Sequence, residues 1–173
     1  MLPSSASYIE PKQINFNINP EDYDPLVDLK VTVEIKAVRT LGAIRWFNAN
    51  PNLYVIVFIN DQQFKSDVWS GTRYIYNPSF SPTLDIPDET EFVNVKIQLW
   101  DSSSSGEKIC DISGDSTSYA ELTYSLKTGH WTGDDQLKDP SGYGRLNGCN
   151  DGKITQMEFL IGLRLMFMEL ILK

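Results

Sequence analysis

Histidine and cysteine are almost missing from this chain, and their scarcity excludes much of the chemistry proteins build on them. The single histidine, His130, would have to serve any Ser-His-Asp arrangement, yet no serine sits in a Gly-x-Ser-x-Gly elbow. It lies beside Trp131, where packing of a loop is the simpler role. The two cysteines, Cys110 and Cys149, permit at most one internal disulfide and offer no C-x-x-C spacing for zinc; two thiols are the alternative. Phosphate-cradling glycine loops are absent too, because Gly142-Tyr143-Gly144 has neither the strand before it nor the helix after it. Paired carboxylates of the glycosidase kind meet in space rather than in sequence and stay open. The expectation is a protein that is not an enzyme.

Positive charge is also short: 15 Lys and Arg stand against 23 Asp and Glu, for a net charge of -8 and a pI near 4.6. Nucleic acid is excluded as a partner, since phosphate binding needs basic patches that release counterions, and bare anionic membrane is disfavoured. The first residues, Met1-Leu2-Pro3-Ser4-Ser5-Ala6, lack the charged and apolar regions of a signal peptide. Two settings fit: a piece of a longer extracellular or cell-surface protein, which is the expectation, or a cytoplasmic protein.

What is present is the composition of a globular chain, 41% hydrophobic and 22% charged over 173 residues, enough for one well-cored domain. Residues 1–25 hold Pro3, Pro11, Pro20 and Pro25 and read as an extended arm. In 29–38 the odd positions are apolar and most even ones polar, the period of a strand with one wet face. Residues 53–64 predict a long strand or a hairpin turning at Asn60-Asp61, and their continuous apolar run predicts a central strand covered on both sides. A short strand broken by Pro82 follows in 80–86, then strands in 92–101, 109–112 and 119–126. Six to eight strands at short spacing, with no helix before residue 155, predict an antiparallel β-sandwich.

These landmarks, in this order, resemble a C2 domain: a long first strand, a loop into Leu53-Tyr54-Val55, a polar hairpin with Phe64-Lys65-Ser66, Asn77-Pro78 before a strand, and Val95-Lys96-Ile97-Gln98-Leu99-Trp100-Asp101. The resemblance implies an all-β, eight-stranded sandwich over residues 27–126. It divides the rest into an arm (1–26), an acidic Gly-rich extension (127–157) and an apolar tail (158–173). Calcium-binding C2 domains gather aspartates from two loops, because a hard cation needs six to eight oxygens and several charges. Matched residue by residue, the later loop contributes Asp101, Ser103 and Glu107, and the earlier loop Asn48 and Asn50 or Asn52. Amides and hydroxyls bring no charge, so the resemblance implies weak Ca2+ binding; the alternative is a turn in which Asp101 caps backbone amides.

Residues 128–135 and 139–152 resemble an extension on C2-like modules of archaeal cell-surface proteins. Their Gly and Asp density suits a loop folded around a cation through Asp134, Asp135, Asp139 and Asp151, or packed by Trp131 and Tyr143; a solvated loop is the alternative. Residues 147–158 approximate an EF-hand loop, with Gly152 sixth and Glu158 twelfth, but Cys149 is third and the Pro140-Ser141-Gly142 stretch cannot supply an incoming helix, so chance is the preferred explanation.

The tail is apolar almost all round and helix-prone, yet too short, with Arg164 and Glu169 inside, for a membrane span. It predicts a short C-terminal helix buried on the sandwich or in a dimer, or an interfacial membrane helix. Out-of-frame translation is a third explanation: permitted codons for 156–173, read two bases later, give a string resembling acidic calcium repeats of cell-surface proteins.

Three functions follow. The first is a non-catalytic binding or structural module of a larger cell-surface protein, stabilised by calcium, with neighbouring domains or other cell-surface proteins as partners. The second is a peripheral membrane module that inserts Trp46 and Phe47, beside Arg45, into a phospholipid surface. The third is a carbohydrate-binding module with Trp69, Tyr74 and Tyr76 as its platform.

Overall fold

The computed structural model describes residues 28–41, 49–103, 106–135, 143–148 and 155–166. Among the described residues eleven strands run in chain order: β1 (Asp28–Thr40), β2 (Leu53–Ile59), β3 (Gln62–Lys65), β4 (Tyr74–Tyr76), β5 (Thr83–Ile86), β6 (Phe92–Ser103), β7 (Gly106–Cys110), β8 (Ala120–Ser125), β9 (His130–Gly133), β10 (Gly144–Gly148) and β11 (Thr155–Met166). One sheet has the order β10-β11-β1-β4, with β5 also on β1, and the other β3-β2-β6-β8-β9, with β7 also on β6. Every pairing is antiparallel. The expected all-β sandwich is therefore what forms, with short edge segments such as β4, β5 and β9 raising the strand number above eight.

The period-two pattern explains which faces meet. In β1, Val31, Val33 and Ile35 are buried, then the register to β11 slips between Ile35 and Ala37. That bulge inserts Lys36 as an extra residue and switches the inward parity, so Val38 and Thr40 face the core beyond it. The other sheet answers with Val55, Val57 and Ile59 on β2, Val93, Val95, Ile97 and Leu99 on β6, and Leu122 and Tyr124 on β8. Each such side chain contributes about 1.5–3 kcal/mol on burial. The hairpin turns at Asn60-Asp61 as expected, with Asn60 at φ 50, and Pro82 sits where β1 needs only its carbonyl, which accepts from Val33 N–H at 3.0 Å.

One expectation is corrected. The described part of the tail, through Met166, is not a helix but strand β11, and the described residues contain no helix at all. It pairs with β1 from Asp28↔Met166 to Thr40↔Thr155 and buries Met157, Phe159 and Ile161 at every second position. Helix propensity is a weak prior, and β1 demands a ladder partner along its whole length. β9, β10 and the start of β11, all from residues 127–157, are members of the two sheets. The EF-hand-like run is strand on both flanks, Asn147 pairing with Gln156, so no helix enters or leaves it.

Candidate functional site

At one end of the sandwich β1 stops, β2 begins, and β6 turns into β7. Asp101 lies here, only 3% exposed, and its Oδ1 accepts the Asn52 N–H at 2.8 Å. Asn52 Oδ1 in turn accepts the Gly71 N–H at 2.9 Å, and Asn50 Nδ2 donates to the Gly71 carbonyl at 3.0 Å. The strand-end aspartate and the two asparagines thus tie the 49–52 and 66–73 loops together. Glu107 does not join them: Asp101 pairs with Lys108 and Glu107 with Ser102, so alternation sends the two carboxylates to opposite faces of the sheet. Glu107 meets Lys65 at 3.7 Å instead. Ser103 ends β6 opposite Gly106.

Of the extension's aspartates, Asp134 and Asp135 lie among the described residues, and both accept hydrogen bonds. Asp134 Oδ2 accepts the Glu121 N–H at 2.9 Å, continuing the β8 ladder. Asp135 receives Trp131 Nε1–H at 3.0 Å on one oxygen and Arg145 N–H at 2.9 Å on the other, which links edge strand β9 of one sheet to edge strand β10 of the other. Among the described residues no three His, Cys, Asp or Glu side chains gather as a metal set would. Asn48, Trp46, Phe47, Arg45, Asp139, Asp151 and Cys149 lie outside the described residues. His130 is exposed at the start of β9, opposite Ser125, and Cys110 is buried.

The same end carries exposed apolar side chains, two of which, Leu41 and Val68, no sequence signal marked. Leu41 is 54% exposed directly after β1, Val68 is 44% exposed and Tyr74 58%. They share this end because Thr40 N–H donates to the Arg73 carbonyl at 2.9 Å, and Leu53 bridges to Trp69. Tyr76, 66% exposed, stacks on Tyr74 with ring centroids 6.4 Å apart. Trp69, by contrast, is half-buried against the core, so the three rings expected to form a platform are not exposed together. Only the alternation Tyr74-Ile75-Tyr76 around a buried isoleucine hinted at this in the sequence.

The outer face of the six-stranded sheet is built differently. Tyr54, 1% exposed, stacks on Trp100 at 6.3 Å and lies beneath Lys65, whose Nζ is 4.0 Å from the ring centre. This covers the second side of β2, in keeping with its continuous apolar run. Burial, and then a hydrogen bond to Glu107, push the Tyr54 hydroxyl up to about 12. The folded state therefore holds this proton more tightly than the unfolded chain, where the ordinary value is 10.0. The contribution is fully present below pH 10 and is lost as pH rises toward 12, at up to about 1.4 kcal/mol per pH unit. Urea unfolding across that window should show the decline, and Tyr54→Phe, which keeps the stack, should remove this share of it; an unchanged slope in the variant would refute the assignment.

No family model and no curated protein sequence matches this chain. Its architecture does match a solved one: the paired C2 domains of Extended-Synaptotagmin 2 superpose with a TM-score of 0.51 at 10% identity, over 95% of this chain and 48% of that one. The fold is that of a C2 domain. A C2 domain of plant Extended Synaptotagmin 1 aligns at 12% identity and TM-score 0.49, over 83% of this chain and 98% of that domain. Human GIVD cytosolic phospholipase A2 aligns at 15% identity and TM-score 0.46, over 80% of this chain. The chain spans only 17% of that enzyme's length. At such identities the likeness concerns the C2 fold and not the activity. In this C2 fold the loop end described above is formed where β1, β2, β6 and β7 meet.

Proposed function

We propose that this chain is a non-catalytic C2 module of a longer protein that docks on a lipid surface through the loop end. The observation that carries the reading is the set of half-exposed apolar side chains there: Leu41, Val68 and Tyr74, with Tyr76 beside them. Apolar and tyrosine side chains exposed near one end suit a membrane interface, where an aromatic ring keeps its hydroxyl in water. The net charge of -8 favours a zwitterionic surface over an anionic one. The cell-surface setting rests on the resemblance of residues 128–135 and 139–152 to an extension of cell-surface modules stated from the sequence, and with it the docking is on the outer leaflet.

Calcium enters as a weak ligand at most. Asp101 already accepts a backbone N–H, and Glu107 lies on the other face of the sheet, so docking needs no cation to charge the loops. Co-sedimentation with phosphatidylcholine vesicles tests the reading. The expected result is equal binding in calcium and in chelator, reduced about tenfold by Leu41→Ser or Tyr74→Ser. Absence of binding would refute lipid docking. A melting temperature raised by calcium, with no vesicle binding, would favour the cation-stabilised structural module instead.

A further inference from the structure

Away from the loop end, the outer face of the six-stranded sheet holds a groove of about 620 Å³ whose lining includes Phe58, Asn60, Asp61, Asn94, Lys96, Gln98, Glu121 and Thr123. Register explains its make-up. Phe58, Lys96 and Glu121 form one row across β2, β6 and β8; Asn94 and Thr123 form the next row, and Gln98 stands on the other side of the first. From Asn94 to Gln98 the trench runs about 14 Å, and three strands make it about 10 Å wide. Its polar groups are held rather than loose. Gln98 Oε1 accepts Trp100 Nε1–H at 3.2 Å, which orients the amide with its NH2 left to donate. Asn60 Oδ1 accepts the Asn94 N–H at 3.0 Å, and Thr123 Oγ1 donates to Asn94 Oδ1 at 3.4 Å.

The charge of the lining selects against anions. Lys96 is the one cation among the described lining residues, and it is engaged with Glu121 at 3.1 Å and with the Tyr119 ring at 4.0 Å. Asp61 and Glu121 leave a net charge of one negative unit. What remains is a set of pre-oriented carboxamides, a hydroxyl and carboxylates around an aromatic ring, each amide both donor and acceptor. A sugar has the matching chemistry: hydroxyls that donate and accept around its rim, and an apolar face for Phe58. We infer that this groove binds a short, uncharged oligosaccharide, on a face separate from the lipid-docking end.

Saturation-transfer NMR on the whole chain, with a panel of uncharged gluco-, manno- and galacto-configured tetrasaccharides, tests this. Transfer to ring protons of at least one sugar is expected, with affinity about tenfold lower in Gln98→Ala and in Asn94→Ala and an unchanged melting temperature. Thr123→Val, on the neighbouring strand, gives the same readout should either variant fail to fold. Tyr74→Ser should leave sugar binding intact while reducing vesicle binding, so the two sites fail separately. The inference is overturned if no sugar in the panel receives transfer, if the Gln98→Ala/Asn94→Ala double variant binds as well as the parent, or if inositol hexakisphosphate displaces the sugar from the groove.

Discussion

Phe159→Ala is expected to remove about 3–5 kcal/mol of stability, a large share of what a domain this size possesses. Phe159 is fully buried on β11, and its ring meets Trp131 of the opposite sheet with centroids 5.7 Å apart. It also fills the space that Gly144, directly across the β10–β11 ladder, leaves open: a Cβ at Gly144 would overlap the ring. Truncation to alanine leaves a cavity between the two sheets where β9 and β10 approach, and the strands on both sides are held by hydrogen bonds that limit collapse. Thermal unfolding should shift down by about 10 °C or more. The contact can be isolated by a double-mutant cycle. Gly144→Ala alone should destabilise by overlap with the ring, and Gly144→Ala with Phe159→Leu should lose less than the sum, since the smaller side chain makes room. A Phe159→Ala melting point within about 2 °C of the parent would show that β11 does not close the core.

Gly148→Ala is expected to cost about 3 kcal/mol or more. Here the added Cβ meets backbone rather than a side chain: the Asp111 carbonyl and, at 2.6 Å, the Ile112 nitrogen. A side chain can rotate away, but main chain that follows β7 and is buried cannot move without shifting the strand before it. Gly148 ends β10 in one sheet, and Asp111 follows β7 in the other, so the contact sets how closely the layers approach at this point. Gly162 is the control. A Cβ there has no neighbour within 4 Å, and its strand position favours a side chain, so Gly162→Ala should be neutral or slightly stabilising. Equal midpoints for the two variants in urea unfolding would refute the close contact at Gly148.

Several elements were legible in the residues because their signals are local. The alternation Val31, Val33, Ile35 needs only the two-residue pleat to be read, and Asn60-Asp61 needs only the turn it favours. The run ending in Trp100-Asp101 likewise marked β6. Less legible was the switch of parity at Lys36, although Val38 at an even position was its trace. The tail misled for a physical reason. With apolar residues at nearly every position, its hydrophobicity fits a buried helix or a buried strand equally, and only the partner decides. That partner is β1, about 130 residues earlier in the sequence. The candidate metal ligands show the same limit: Asp101 and Glu107 are six residues apart, yet the hairpin register puts them on opposite faces.

By itself, then, the sequence determined an acidic, all-β antiparallel sandwich with one histidine, two cysteines and an excess of carboxylates over basic side chains. Composition and period act within a few residues and need no knowledge of distant neighbours. Tertiary structure alone decided that β11 completes the β1 sheet, that Asp134 and Asp135 serve backbone and tryptophan N–H groups, and that Leu41, Val68 and Tyr74 are exposed near the end where β1 stops and β2 begins. Each of these depends on long-range strand pairing, where one residue of register reverses the face a side chain occupies.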